Sequence, residues 1–139
     1  MPRWFVDTSY VVALANVGDE WHEPANRYAG EIERGDVELV TTEAVLLEVA
    51  GALAKVQYRS HAVVIVEELR KGAVVSPFSA PLLAESWEMY KTHLDKDWSW
   101  VDTISFTAMR REGISEALTG DHHFEQASFR ALLRPEAGA

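Results

Sequence analysis

The sequence predicts an α/β fold with a parallel sheet flanked by helices. Short apolar, strand-like runs alternate with longer helix-like segments from Trp4 to about Leu133, the pattern of strands joined by crossover helices. Glycine, aspartate and proline punctuate the segments, and no linker, low-complexity stretch or internal repeat interrupts them. A chain of 139 residues fits one domain around one core, expected here over residues 1–134.

The elements follow in order. Trp4-Phe5-Val6 is a short apolar run, the composition of a buried first strand. Asp7-Thr8-Ser9 ends it with side chains that cap helices, and a helix is expected over Tyr10 to Val17, broken by Gly18-Asp19. Trp21 to Glu33 has helical composition with Pro24 in its first turn, where proline is tolerated. After the turn Gly35-Asp36, Val37 to Thr41 reads as a second strand. A long helix rich in Ala, Leu and Val is expected over Glu43 to Arg59, then another over His61 to Lys71, ended by Gly72. Ala73 to Val75 reads as a third strand closed by Ser76-Pro77, Pro81 to His93 as a helix, and Val101 to Arg111 as a helix stopped by Gly113. Glu116 to Thr119 is a short fourth strand, left through Gly120-Asp121, and Phe129 to Leu133 completes the set. The tail Pro135 to Ala139 is expected to fray.

Composition narrows the function classes. Hydrophobic residues make up 47% and charged residues 25% of the chain, an ordinary globular balance. With no cysteine, disulfides and thiolate metal sites are excluded. Asp7 follows only three apolar residues, so no signal-peptide core is expected near the start. No apolar run approaches the roughly 18 residues of a membrane span, and the expected location is the cytoplasm. The net charge of −9 argues against nucleic-acid binding, because phosphate contacts need Lys and Arg. That argument weakens if several acids converge on one site where cations neutralise them, or if a basic partner supplies positive charge.

Most acids, such as Glu31, Glu67 and Glu88, sit among polar neighbours on expected helices. Four do not. Asp7 stands at the carboxyl end of the first strand, where open α/β sheets bind ligands; its alternative role is a helix N-cap, which Ser9 could equally supply. Glu48 shares its helix face with Ala44, Val45, Gly51 and Ala52, a small and apolar face on which Gly51 leaves room for close approach. Asp102 has capping-box spacing from Ser99 and shares a stripe with Ser105, Phe106 and Met109 that faces protein. Asp121 repeats the placement of Asp7 after another strand, and again a cap is the alternative. In a parallel sheet Asp7 and Asp121 lie on one rim, and the two helix acids lean over it. Two carboxylates ~5 Å apart repel by roughly 3 kcal/mol at an effective dielectric of 20, so four together call for protons or bound cations. Oxygen-only ligation suits Mg²⁺ or Mn²⁺ rather than zinc, and such ions activate water and hold phosphodiesters for in-line attack.

The stretches Phe5-Val-Asp7-Thr-Ser9, Leu46-Leu-Glu48-Val, Ser99-Trp-Val-Asp102-Thr-Ile-Ser-Phe106 and Thr119-Gly-Asp121-His-His-Phe-Glu-Gln-Ala127, running on to Phe129, occur in this order. In that order they resemble the PIN-domain nucleases, and in particular the VapC-type toxins of bacterial toxin–antitoxin pairs. The likeness spans Trp4 to about Leu133. It implies a three-layer α/β/α sandwich with a central, mainly parallel sheet, Mg²⁺ or Mn²⁺ at the acid cluster, and hydrolysis of RNA. On the family pattern Asp7 and Asp102 are the principal metal ligands. Glu48 and Asp121 complete the catalytic set by orienting water or holding a second ion, and Thr8 or Ser9 hydrogen-bonds an acid or a phosphate. The family further implies a homodimer and a cognate antitoxin whose tail covers the groove and brings an arginine to the carboxylates. One departure is His122-His123 after Asp121, where many relatives carry other polar residues.

Other residues carry weaker signals. His122 and His123 have the chemistry to protonate a leaving oxygen, although loop histidines beside an acid are more often polar surface. Trp98 and Trp100 have the chemistry to stack on bases, although a Trp at a helix start more often packs inward or at a dimer contact. Lys55, Arg59, Arg110 and Arg111 are candidate phosphate contacts. Receiver domains and aspartate-nucleophile phosphatases fit poorly: Asp7 lacks a paired acid, and position 9 is Ser where the phosphatase motif has Asp. The remaining alternatives are a catalytically silent module of the same fold that binds RNA or protein, and a DNA-directed nuclease of the same superfamily.

Overall fold

The computed structural model of the chain describes residues 1–136. The first strand, β1 (Arg3–Val6), lies at the centre of the sheet, which explains its unbroken apolar run: Phe5 and Val6 are fully buried and Trp4 nearly so. After β1 come α1 (Thr8–Ala15), α2 (His22–Glu33), β2 (Glu38–Thr42), α3 (Glu43–Ala52), α4 (Val56–Gly72), β3 (Val74–Ser76), α5 (Ala80–Thr92), α6 (Trp100–Glu112), β4 (Glu116–Leu118), α7 (His122–Gln126) and β5 (Arg130–Ala131). The sheet order is β3-β2-β1-β4-β5, with every pairing parallel. The register sets Phe5 opposite Val40 on one side and Ala117 on the other. The result is the expected α/β/α sandwich.

The order of strands locates the site. From β1 the chain moves outward through β2 to β3, then crosses back to lay β4 on the other side of β1. Strand order therefore reverses between β1 and β4, and a crevice opens beyond their carboxyl ends. Asp7 leaves β1 at that edge, and Thr119 leaves β4 beside it, with Asp7 N donating to Leu118 O at 3.3 Å.

Several expectations need correction. The long helix expected over Glu43 to Arg59 is two helices: α3 stops at Ala52, and α4 already begins at Val56 rather than His61. Leu53 is buried in the core, Lys55 is extended, and Arg59 Nε satisfies Ala54 O at 3.0 Å. Burial of Leu53 turns the chain where Ala-Leu-Ala-Lys shows no local breaker, a tertiary override of helix propensity. His122 and His123 sit in the short helix α7 instead of a loop. The last strand is shorter than Phe129 to Leu133, because it pairs with β4 only at Arg130 and Ala131, after Ser128 takes a left-handed φ of 72°. Of the expected frayed tail, residues 137–139 lie outside the described residues, and Glu136 pairs with Arg130 at 2.7 Å.

Helix α6 runs through the interior, with every side chain from Thr103 to Met109 buried. Phe106 is its keystone: its ring meets Phe124 edge-on at 5.0 Å, Trp98 edge-on at 5.1 Å and Phe129 at 5.7 Å, geometries that aromatic quadrupoles favour. Replacing Phe106 with Ala removes this fully buried ring and should cost about 3–5 kcal/mol of unfolding free energy, measured by denaturant titration of the metal-free protein.

Candidate active site

The crevice at the strand switch point is a cavity of about 410 Å³, lined by Asp7, Glu48, Asp102 and Asp121, the four acids singled out in the sequence. Two further acids, Asp19 and Asp97, also line it, along with Thr8, Ser9, Val12, Trp21, Ser99 and His123. Neither extra acid stood out in the sequence, because each lies in a loop of ordinary polar composition.

Three of the four principal acids do two things at once. Asp7 is the N-cap of α1: its Oδ2 accepts Ser9 N at 3.4 Å. Ser9 was expected to be able to take over that cap; instead its hydroxyl donates to Asp7 Oδ2 at 2.9 Å. Thr119 Oγ1 also donates to Asp7 Oδ2, at 2.7 Å. Asp102 closes the capping box of α6, with Ser99 N donating to Oδ2 at 3.0 Å and the Ser99 hydroxyl accepting Asp102 N at 3.0 Å. Asp121 caps α7, its Oδ1 accepting His123 N at 2.9 Å. The capping and cleft-facing readings, left open by the sequence, are therefore both realised. Each carboxylate anchors one oxygen and keeps the other, Oδ1 of Asp7 and Asp102 and Oδ2 of Asp121, without a protein donor among the described residues.

Glu48 differs. It is exposed on α3 and has no hydrogen bond or ion pair among the described residues. The close approach expected at Gly51 does not occur, since a Cβ there would meet open space. Glu48 reaches the cleft from its rim, where it also borders an apolar shelf of Leu47, Phe78 and Trp100.

Asp7 Oδ2, accepting from both the Ser9 and the Thr119 hydroxyl, ties the two strand ends together. Thr119 Oγ1 lies 2.9 Å from Ser9 Oγ, accepts Asp121 N at 3.0 Å, and is fully buried. Ser9 Oγ in turn accepts Gly120 N at 3.1 Å. Thr119 was not singled out by sequence reasoning, although it opens the Thr-Gly-Asp run. Gly120 is required here for space: a Cβ would stand 2.2 Å from Trp21 Nε1. Trp21 forms part of the cleft wall, backed by Arg134 at 5.5 Å over its ring.

Burial pushes the Asp7 carboxyl up from 3.8 to about 6, with the charges of Asp102 and Glu48 adding to the rise and the Thr119 and Ser9 hydroxyls opposing it. Burial likewise raises Asp102, reinforced by the charge of Asp121 and opposed by the Ser99 amide and by His123. The donor set of carboxylate oxygens with free valences, around carboxyls that resist ionising together, fits a divalent cation such as Mg²⁺ or Mn²⁺.

The residues given less weight fall elsewhere. Trp98 is buried and donates its indole N–H to Gln126 at 2.9 Å, so it is core rather than a stacking platform. Trp100 is half-exposed, with its indole N–H on Ser86. Among the described residues none of Lys55, Arg59, Arg110 and Arg111 lines the cleft, and Arg111 pairs with Glu85 at the far end of α6. His22, His61 and His93 are scattered, whereas Asp121, His122 and His123 bring possible ligand atoms within 4.8 Å of one another.

Comparison with known proteins agrees with this fold. The PIN domain family model matches residues 4–130. The chain is 33% identical over 134 residues to the 23S rRNA-specific endonuclease VapC20 of Mycobacterium tuberculosis strain CDC 1551, covering 95% of this chain and 98% of that protein. It matches the protein of the same name from strain H37Rv to the same degree. The crystal structure of Mycobacterium tuberculosis VapC20, a sarcin–ricin loop cleaving toxin, superposes with a TM-score of 0.79 at 31% identity, over 90% of this chain and 95% of that one. The structure of FitAcB from Neisseria gonorrhoeae, at 18% identity and a TM-score of 0.59, shares the fold over 91% of this chain and 94% of its own.

The raised Asp7 carboxyl carries a stability consequence. The folded state holds this proton more tightly than the unfolded chain, so folding is favoured at low pH and loses stability as pH rises from about 4 to 6. The loss at neutral pH is about 3 kcal/mol. In chelator, Asp7→Asn should remove that loss: its melting temperature, set against that of the parent, should rise between pH 4 and pH 7.5. A constant difference across that range would contradict the assignment.

Proposed function

The chain belongs to the PIN-domain family, and on that premise we propose that it is a divalent-metal-dependent endoribonuclease, the toxin of a toxin–antitoxin pair, acting in the cytoplasm. The observation that carries this reading is the convergence of Asp7, Glu48, Asp102 and Asp121 on one cleft at the strand switch point, with a free oxygen on each. We assign the activity to a single nuclease unit, residues 1–134. Among the described residues no helix is long and apolar enough to cross a membrane.

Asp7 and Asp102 would hold the cation, Mg²⁺ or Mn²⁺, with Asp121 beside them. When bound, it supplies positive charge against which a phosphodiester is held and its developing negative charge stabilised. The chain's own groups do the rest. Asp7 is held rigid by Ser9 and Thr119, so its free Oδ1 keeps one position. Glu48 is the one of the four principal acids without a protein partner among the described residues, and it accepts the proton of the attacking water. Trp21 forms part of the cleft wall beside these acids.

The likeness to 23S rRNA-specific VapC20 makes ribosomal RNA the first substrate to try. The missing positive charge in the cleft supports a partner: an antitoxin segment carrying an arginine would neutralise the free carboxylate oxygens and block the site. We also propose a homodimer, which would cover the exposed apolar group Leu47, Phe78, Trp87, Tyr90 and Trp100.

Incubating the purified chain with ribosomal RNA in Mg²⁺, in Mn²⁺ and in chelator tests the activity. Cleavage should need a divalent ion, and Asp102→Asn should lower it by at least about 10²-fold while keeping the native circular dichroism. Equal cleavage by the variant, or cleavage in chelator, would contradict the reading.

A further inference from the structure

We propose that His123 is a positioning residue: its imidazole, hydrogen-bonded through Nδ1 to Asp102 and lying close beside Asp121, holds the two carboxylates together and so sets how tightly the cleft holds a divalent cation. The proposal rests on the nuclease reading above and adds to it a residue outside the acid set. Asp102 arrives from the first turn of α6 and Asp121 from the cap of α7, elements joined through β4. Phe106 on Phe124 sets the two helices side by side, and among the described residues His123 is the side chain that touches both carboxylates.

The imidazole of His123 spans the gap between them. Its Nδ1 lies 3.0 Å from Asp102 Oδ2 and 3.3 Å from Asp121 Oδ1. An ionised Asp102 only accepts, so the bond between it and the ring requires the proton on Nδ1. The contacts fall on the oxygen of each carboxylate that is already anchored: Asp102 Oδ2 also takes Ser99 N, and Asp121 Oδ1 also takes His123 N. The ring therefore leaves Asp102 Oδ1 and Asp121 Oδ2 to the cleft. It is held in place, with its side chain only 18% exposed and its ring against that of His122 at 4.6 Å. Groups that orient metal-binding carboxylates from behind typically change metal affinity by about 10–100-fold.

The side-chain amide of Asn presents an N–H near the place of Nδ1, whereas that of Gln presents one near Nε2. This contrast separates a clamp from mere bulk. Mn²⁺ affinity is read from the electron paramagnetic resonance of free Mn²⁺ for the parent, H123A, H123N and H123Q. Separately, long-range ¹⁵N–¹H correlation spectra of the metal-free parent report which ring nitrogen bears the proton. The clamp predicts a protonated Nδ1, a loss of about 10–100-fold in affinity for Ala and Gln, and recovery to within about 3-fold of the parent for Asn. A bare Nδ1, parental affinity in H123A, or failure of Asn to recover what Ala loses would overturn it and leave the nuclease reading intact. A parent that binds no Mn²⁺ would overturn that reading and this proposal with it.

Discussion

Like charges repel, and the whole site depends on how this protein packs carboxylates side by side. At ~5 Å and an effective dielectric of 20, each pair costs roughly 3 kcal/mol. The structure offsets that cost with helix starts. Asp7, Asp102 and Asp121 each accept a backbone N–H at the N-terminus of a helix, α1, α6 and α7, where unpaired amides and the helix dipole favour negative charge. Hydroxyls from Ser9 and Thr119 add to this at Asp7. The compensation is partial, because burial still holds Asp7 and Asp102 partly toward the protonated form. That residual tension is what a cation would relieve.

The sheet topology exists in service of this arrangement. Reversal of strand order between β1 and β4 brings Asp7 and Thr119 to one edge, and Asp7 Oδ2, accepting from both the Ser9 and the Thr119 hydroxyl, locks the two connections together. Helix α6, buried along its length, lays Asp102 over that edge from above. Even Gly120 belongs to the set, since only a residue without Cβ lets Trp21 close the wall of the cleft. A residue such as Phe106, remote from the chemistry, therefore supports it by fixing α6 against α7.

Much of this was legible in the sequence, and the reasons differ by residue. Trp4-Phe5-Val6 announced a buried strand because both its faces are covered. Asp7 and Asp121 announced the rim because each follows a strand directly. The sequence could not decide whether Asp7, Asp102 and Asp121 capped helices or faced a ligand, since the same residue type at the same position serves both; the structure uses one oxygen for each cap and leaves the other without a protein donor among the described residues. Thr119 stayed hidden because a buried threonine at a strand end looks like any β-branched residue. The break at Leu53 to Lys55 was invisible because it is imposed by burial of Leu53, without glycine or proline at the break itself. Asp19 and Asp97 were lost among surface acids for want of any local pattern.

Each anchored carboxylate of the cleft would present its free oxygen to a cation. Anomalous diffraction from crystals soaked in Mn²⁺ tests this directly. The expected result is a manganese peak in the cleft contacting Oδ1 of Asp7 and Oδ1 of Asp102, with Oδ2 of each still holding its bonds to Ser9, Thr119 and Ser99. A peak outside the cleft, or ligation through Oδ2 with those bonds broken, would contradict it.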